Sequence, residues 1–578
     1  MNPSLLRRRR IAFASLVGLT GLALLALMAA TLFTARTDGL GVAMLALYAA
    51  TLPWTVIGFW HAVIGLGVMV AGRDPLAAID SPLQAAPSDG PPAPITTRTA
   101  LLVCIRHEDV AALEHNLVWM GDGLVASGEA AHFHLYLLSD SDDAAIAADE
   151  ARLADTLARR FAGTLAVTYR RREGGTGYKA GNIGDFCQRW GTRHDFAIPL
   201  DADSVMAPHA LLRLVRLMQA DPKLGIVQTL VTALPSQSAF TRLFQFGMRL
   251  GMRSYTLGAA WWQGDCGPYW GHNAILRLAP FMAHCHLPAL PGRPPLGGPV
   301  LSHDQLEAVL MRRAGHEVRV LPIEDGSFEE NPPTLAEFVR RDLRWCQGNL
   351  QYVAFLRTPG LLPVSRVQLL LAIAMYLGSP AWLGFMLLAL LREAPWDATL
   401  GSVLFGLSMA MTFAPKLATL VDVLLRPALR RAYGGAPRLL AGALAETLFS
   451  MLLAPVAALA VTLFLLGLPL GRQIGWSAQR RSAHGLPWGF ALRRFWPQTL
   501  AGLLLGPWLW HAMPQAWPFW APFVAGLAGA VPLAVFTAHP ALGRWMVARG
   551  LCRVPEERPT SSAPSVGLCR VEAAHVGD

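Results

Sequence analysis

Long apolar runs bracket one long mixed region in this chain. Apolar segments at about Ile11 to Phe33 and Leu40 to Val70 come first. They return at about Val367 to Leu391, Leu400 to Leu425, residues 439–470, Gln498 to Met513 and Trp517 to His539. Runs of this length predict membrane-crossing helices, because about 20 apolar residues span the hydrocarbon core. From Thr97 to about residue 350 the pattern changes to short apolar runs, TALLVCI, FHLYLLSD, LAVTYR, FAIPLD and GIVQTLV, alternating with helical stretches such as Ala144 to Phe161 and Pro208 to Ala220. That alternation predicts a mostly parallel sheet with helices on its faces. Between the two regimes, residues 73–96 are rich in Pro, Ala, Ser and Gly and read as a linker.

Charge orients the spans. Arg7 to Arg10 precede an apolar segment longer than a signal-peptide core and followed by a second span, so the first segment reads as an uncleaved helix. The positive-inside rule keeps these arginines in the cytoplasm, sends the loop at Arg36 to Gly39 outside and returns the chain, making the mixed region cytoplasmic. The loop Arg426 to Arg438, RPALRRAYGGAPR, is placed inside by the same rule. The segment 439–470 is followed by a second basic loop, Arg472 to Arg494, and carries Glu446, Ser450 and Pro455. It is expected to be interrupted, as an interfacial or re-entrant helix that leaves the basic loop inside.

The expected organisation is therefore two transmembrane helices in residues 1–72, the linker in 73–96, a cytoplasmic domain in 97–350 and two transmembrane helices in 351–425. An interfacial or re-entrant helix with a basic loop follows in 426–496, then two transmembrane helices in 497–540. A cytoplasmic tail in 541–578 is expected to be disordered from Glu556.

Composition supports a membrane protein with one soluble domain: of 578 residues, 53% are hydrophobic and only 15% charged. The net charge of +10 comes almost wholly from arginine, since lysine occurs only at Lys179, Lys223 and Lys416. Such an excess fits cytoplasmic loops and contact with membrane lipid, and no nucleic-acid partner is expected. Seven cysteines without a C-x-x-C argue against a disulfide framework or a structural zinc site.

Candidate chemistry clusters in the mixed region. FAIPLDADSVM, Phe196 to Met206, ends an apolar strand in Asp201 and Asp203. Residues i and i+2 of an extended segment share a face, so both carboxylates can reach one hard cation, Mg²⁺ or Mn²⁺. The plainer reading is a strand followed by a polar turn. Glu108 and Asp140 also follow strands, where open α/β sheets place ligands, and can bond a base or ribose. Gly177 to Asn182, GYKAGN, offers close backbone approach and a lysine for a phosphate, or else a surface turn. Asp304 opens a helix through Arg313, as a helix-terminal carboxylate or as a general base. Arg340 to Asn349, RRDLRWCQGN, offers arginines for a diphosphate and Trp345 for a sugar face, or ordinary interfacial anchoring.

Taken in order, LSDS, KAGN, DADS, YWGHNA, LSHD and RDLRWCQGN resemble the processive family 2 glycosyltransferases that include cellulose synthase. Tyr269 to Arg277, Leu301 to Gly315 and Asp342 to Leu350 resemble more narrowly the glucosyltransferase H family of osmoregulated periplasmic glucan synthesis. The resemblance covers about residues 97–540. It implies a Rossmann-like α/β GT-A domain inserted between transmembrane helices, UDP-glucose as donor, inverting transfer to a growing β-linked glucan chain, and export across the bacterial inner membrane.

Residue by residue, the resemblance puts Asp140 and Glu108 on the uridine and Lys179 near the diphosphate. Asp201 and Asp203 contact UDP and the metal, Asp203 as the direct ligand. Asp304 is the base, Arg344 stabilises the leaving diphosphate and Trp345 stacks on the acceptor sugar. Gly271, His272 and Asn273 line the acceptor side, and Arg341 and Gln347 join the substrate contacts. The basic loop at Trp476 to Arg481 takes the place of a gating loop.

The resemblance further suggests β-1,2 linkage, a periplasmic glucan-processing partner and acyl carrier protein. The long cytoplasmic N-terminal extension of some members is not expected. VCIRHED stands where the family has a proline and an asparagine, and Arg341 stands where the wider signature has a glutamine. Two alternatives remain open: a sister synthase making a cellulose-like or hyaluronan-like polymer, and a non-catalytic UDP-sugar-binding scaffold.

Overall fold

The computed structural model describes residues 3–34, 36–71, 74–79, 81–83, 93–475, 482–558 and 564. Its soluble region is built on ten strands: β1 (Thr99–Ile105), β2 (Phe133–Ser139), β3 (Ala166–Arg171), β4 (Phe196–Asp201), β5 (Val205–Met206), β6 (Leu224–Thr229), β7 (Thr232–Ala233), β8 (Ala274–Arg277), β9 (Glu317–Leu321) and β10 (Ser327–Glu329). Seven form one sheet in the order β3-β2-β1-β4-β8-β6-β9. All its pairings are parallel except those of β8, which runs antiparallel to β4 and β6. A small second sheet has the order β5-β10-β7. This is the GT-A-like, mostly parallel arrangement that the resemblance implies.

The central strands are covered on both faces, so TALLVCI and FAIPLD are near-continuous apolar runs without alternation. Leu101, Val103, Ile198 and Leu200 join one core layer, while Ala100, Leu102 and Ala197 join the other with Ile183 and Phe186. Pro199 sits in the middle of β4, where a missing N–H would ordinarily break a ladder. Its carbonyl accepts the Asn273 N–H at 2.9 Å on the β8 side, and β8 pairs with β4 only at Phe196 and Ala197, so no strand on that side needs the absent donor.

A 25-residue helix, Ala239–Gln263, is inserted between β7 and β8 and leaves the sheet to pack along the N-terminal helix Gly39–Ala71. The two cross in backbone contact. A Cβ on Gly258 would lie 2.1 Å from the His61 carbonyl oxygen, and one on Gly65 would lie 2.0 Å from that of Ser254. Trp262 Nε1 donates to His61 Nε2 at 2.8 Å across the same crossing.

Among the described residues, five helices are long and apolar enough to cross a membrane: Pro3–Leu32, Gly39–Ala71, Pro363–Leu391, Ala398–Leu425 and the segment Ala436–Leu470. The helix Trp488–Ala512 carries Arg493 and Arg494 in its first turns and is not among them. Beyond it, Pro514–Ala528 and Ala530–Ala538 meet at a bend of 62°. At one end of the bundle Arg392 Nη2 pairs with Asp38 at 2.7 Å, joining the loops of the first two hairpins. At the other, Arg10 pairs with Asp265 of the soluble domain at 2.5 Å, and Arg9 donates to the Ile79 carbonyl at 2.6 Å.

Two expectations are corrected. The interruption expected in 439–470 is absent, because Ala436–Gly467 is one continuous helix of 32 residues with Pro455 inside it. Glu446 and Ser450 do not break it, since Lys416 Nζ donates to Glu446 Oε1 at 2.6 Å and to Ser450 Oγ at 3.1 Å. Nor do Glu556 and Glu557 belong to a disordered segment. Glu556 pairs with Arg249 at 2.7 Å and Glu557 with Arg242 at 3.2 Å, two arginines buried on the Ala239–Gln263 helix that need counter-charges. Trp476 to Arg481, the expected gating loop, lie outside the described residues.

Candidate active site

The parallel strands β1, β2 and β4 end on one side of the sheet, and the segments following them bound a cleft of about 230 Å³. Glu108 enters it after β1, Asp140 after β2, and Asp201 and Asp203 after β4. Register explains the convergence, because Cys104 pairs with both Leu138 and Asp201, and the three chain exits fall side by side. DADS closes as a turn, with the Ser204 N–H donating to the Asp201 carbonyl at 3.0 Å and the Asp201 N–H to Ser204 Oγ at 3.1 Å.

Lys179 reaches the same point from the first turn of the helix Tyr178–Trp190, where its ammonium contacts Asp201 Oδ1. Burial works against the Lys179 charge, but Asp201 outweighs it and holds the ammonium above its ordinary value. The turn before the helix depends on glycine. Gly177 has φ +78°, and a Cβ on Gly181 would lie 2.1 Å from the Thr176 carbonyl oxygen.

The same cleft is lined by Gly271, His272, Asp304, Arg341, Arg344 and Trp345. Asp304 is the first residue of the helix Asp304–Arg313, whose N-cap residue His303 makes no side-chain cap. The Asp304 residue lines the cleft. Beneath it, His303 Nδ1 lies 2.8 Å from Glu307 Oε2, both nearly buried. Burial disfavours the imidazolium, yet Glu307 overcomes it and raises His303 above its usual value. Trp345 is 47% exposed, with the Arg341 guanidinium 4.8 Å over its ring.

Two expected substrate contacts point elsewhere. Asn273 is fully buried and donates from Nδ2 to Ser327 Oγ at 3.0 Å and to the Phe328 carbonyl at 3.1 Å, tying the Gly271–Asn273 turn to β10. Gln347 donates to the Pro295 carbonyl at 2.8 Å and accepts from the Ile474 N–H at 3.0 Å. Both brace loops behind the cleft and do not line it.

Two other residues at the site escaped the sequence reading. Arg172, just past β3, grips Asp140 from beside the cleft. Glu329, at the end of β10, lies 3.5 Å from His272 Nε2. Burial pushes its carboxyl above the ordinary range, opposed by His272 and Arg341, with Asp203 and Asp201 adding to the rise. Arg172 is hidden in an R-R-R-E run that resembles a solvated face, and Glu329 lies in a strand of three residues.

The acidic end of the cleft fits a hard divalent cation. Asp201 and Asp203 offer carboxylate oxygens, and the neighbouring Glu329 already feels their accumulated charge. Among the described residues no group of three His, Cys, Asp or Glu side chains forms a complete protein cage. A cation there would take its remaining ligands from a diphosphate and water, the usual arrangement for Mg²⁺.

The family model for Glycosyl transferase family group 2 matches residues 198–471, and that for Glycosyltransferase like family 2 matches residues 98–265. The chain is 38% identical over 541 residues to the glucans biosynthesis glucosyltransferase H of Cupriavidus pinatubonensis, covering 90% of this chain and 62% of that relative. It is 35% identical over 548 residues to the protein of the same name from Xylella fastidiosa, covering 91% and 84%. The chain thus spans less than two thirds of the Cupriavidus relative. Among solved structures it is similar to mannosyltransferase PcManGT from Pyrobaculum calidifontis, in complex with GDP-Man and Mn²⁺, at a TM-score of 0.41 and 17% identity, over 67% of this chain and 99% of that one.

Proposed function

This chain belongs to the glucans biosynthesis glucosyltransferase H family, and on that premise we propose that it transfers glucose from UDP-glucose, with inversion, onto a growing β-1,2-linked glucan, acting processively and passing the product across the bacterial inner membrane. The observation that carries this reading is the meeting of Asp201, Asp203, Asp304 and Trp345, from three separate elements, in one cleft.

Charge and position assign the roles. Glu108 and Asp140 receive the nucleoside, with Arg172 holding Asp140 in place. Lys179 and Arg344 offset the negative charge that grows on the leaving diphosphate. Trp345 presents a flat face to the acceptor sugar, and His272, Gly271 and Arg341 bound the acceptor side. Asp304 takes the proton of the attacking hydroxyl, which approaches the anomeric carbon from the face opposite UDP. A Mg²⁺ or Mn²⁺ ion held by Asp203 and Asp201 supplies further neutralisation of the diphosphate.

The soluble domain lies in the cytoplasm in this reading. Support comes from the basic Arg7 to Arg10 segment, which contacts the domain while the Asp38–Arg392 pair closes the far end of the bundle. In this reading Ala436–Gly467, although long and apolar enough to cross a membrane, runs along its surface. Its start meets the catalytic side, where Gly442 packs on Phe246 and accepts from Cys552 Sγ, and the chain beyond its end meets Gln347 through Ile474.

The test is glucose incorporation from labelled UDP-glucose by membranes holding wild type or Asp304→Asn, with linkage analysis of the product. A β-1,2-linked glucan from wild type only is expected. Polymer of another linkage would assign the chain to a sister synthase. No incorporation from any UDP-sugar would favour a binding scaffold.

A further inference from the structure

His303 stands directly before Asp304 but has no part in the roles assigned above. Its backbone and its side chain are both tied to Glu307, one helical turn on. The His303 carbonyl accepts the Glu307 N–H at 3.0 Å, and Nδ1 lies 2.8 Å from Glu307 Oε2. Glu307 is 3% exposed, and a carboxylate so deeply buried needs a donor. Nδ1 therefore carries a proton, and the bond to Glu307 fixes both the ring's orientation and which nitrogen is left over.

The nitrogen left over faces the cleft. His303 is one of its lining residues, and Nε2 has no hydrogen-bond partner among the described residues and is not sealed from solvent. Gly271 marks where that edge of the ring lies. A Cβ on Gly271 would stand 3.8 Å from His303 Nε2, 3.7 Å from its Cε1 and 3.4 Å from Asp304 Cβ. The missing side chain of Gly271 thus keeps open one place that borders both His303 Nε2 and Asp304. A purely structural ion pair uses Nδ1 alone. An imidazole whose second nitrogen opens beside a carboxylate suits a sugar, because neighbouring ring carbons carry neighbouring hydroxyls and a hydroxyl can donate to Nε2 or accept from it.

We infer that His303 is an acceptor-binding residue: its Nε2 hydrogen-bonds the acceptor-sugar hydroxyl next to the one that faces Asp304, and so sets how the terminal sugar is turned toward the donor. This rests on the reading of Asp304 as the base. Glu307 acts through His303, as the residue that positions the ring.

The experiment compares purified full-length wild type, His303→Asn and His303→Gln by UDP release at varied UDP-glucose, alongside thermal midpoints. The amide nitrogen of Asn stands where Nδ1 does and keeps a donor for Glu307, while that of Gln stands where Nε2 does and keeps a polar group at the cleft. A structural pair is rescued by Asn, and an acceptor contact by Gln. The expected result for His303→Asn is a kcat about tenfold lower, with KM for UDP-glucose within about twofold and an unchanged thermal midpoint. For His303→Gln the expected kcat lies within about threefold of wild type. Wild-type kcat in His303→Asn overturns the inference. So does a His303→Gln enzyme no faster than His303→Asn, or a loss that merely follows a lowered midpoint. A second readout needs no turnover: in a cryo-EM structure of wild type with UDP and a β-1,2-linked glucose oligosaccharide, His303 Nε2 is expected within hydrogen-bond distance of a hydroxyl on the sugar beside Asp304. A bound sugar that offers Nε2 no hydroxyl also overturns the inference. Wild type that releases no UDP would count against the proposed function, and the sugar complex would still decide the role of His303.

Discussion

Arg172 closes on Asp140 with two nitrogens, Nε to Oδ1 at 2.9 Å and Nη2 to Oδ2 at 2.7 Å, while Nη1 donates to the Thr176 carbonyl at 2.7 Å. One guanidinium therefore orients the carboxylate proposed to receive the nucleoside and ties down the glycine turn that precedes Lys179. Lysine lacks the planar fork and cannot make all these bonds at once. Arg172→Lys is expected to weaken UDP binding by about tenfold or more, with a smaller effect on kcat at saturating donor. Titration calorimetry with UDP on the detergent-solubilised protein measures it. Unchanged affinity would mean that Asp140 does not depend on this clamp.

How much of this was legible in the sequence depended on whether local pattern or tertiary partnership decided an element. β1 and β4 were readable because burial on both faces makes their sequences apolar throughout. Pro208–Ala220 was readable from its helical spacing and its leading proline. β8 was not, since its four residues take their place only through pairing with β4 and β6. The helix Ala239–Gln263 was missed because its arginines suggest a solvated face, whereas Arg242 and Arg249 are buried against carboxylates some 300 residues away in sequence. The aspartates of the cleft stood out at strand ends. Arg172 did not, because nothing local separates a clamp from a charge run.

Asp203 is 7% exposed and shares the acidic end of the cleft with Asp201 and Glu329. A divalent cation bound there relieves like-charge repulsion and depends on the Asp203 carboxylate. Chelator is expected to abolish glucose incorporation and added Mg²⁺ or Mn²⁺ to restore it. Asp203→Asn is expected to raise the half-saturating metal concentration by about tenfold or more, the cost of about one charged ligand. Incorporation indifferent to chelator would remove the metal from the proposed mechanism.

Asp342 precedes Arg344 and Trp345 by two and three residues, yet it does not line the cleft and accepts a hydrogen bond from the Tyr376 hydroxyl at 3.2 Å. Burial pushes its carboxyl up to about 6 from an ordinary 3.8. The folded protein therefore binds more protons than the unfolded chain between those values, so stability falls as pH rises through that window, and the full penalty stands above about pH 6. Asp342→Asn is expected to be more stable than wild type at pH 7.5, by on the order of 2 kcal/mol after screening. The difference should vanish near pH 4. Thermal midpoints at the two pH values test it, and a gain of equal size at both would mean that ionisation of Asp342 is not the cause.

Glu556 and Glu557 of the tail close on Arg249 and Arg242. Arg249 also pairs with Glu324 at 2.8 Å, so removing one carboxylate leaves it partly neutralised. Glu556→Gln is expected to destabilise the protein by about 1–3 kcal/mol, below the full cost of stranding a buried charge. Combined with Glu557→Gln, it should open the tail to a protease that spares wild type. Limited proteolysis read by mass spectrometry decides, and an equally protected tail would show that packing of Cys552 and Val554 holds it instead.

The crossing of Gly39–Ala71 with Ala239–Gln263 joins the membrane bundle to the soluble domain, and its spacing is set by two missing side chains. A Cβ on Gly258 would stand 2.1 Å from the His61 oxygen, and one on Gly65 2.0 Å from the Ser254 oxygen. Neither obstacle is a flexible side chain that can swing aside. Both are helical carbonyls, so an added methyl must push the helices apart and stretch the Trp262–His61 hydrogen bond with them. Overpacking of this kind costs about 1–3 kcal/mol, occasionally more. Gly258→Ala and Gly65→Ala are each expected to lower the thermal midpoint, and the double variant to lose less than the sum of the two. Once the helices have separated for one methyl, the second finds part of its space already made. Additive losses would mean that the two glycines serve independent contacts, and unaffected single variants would mean that the helices are not held at this distance.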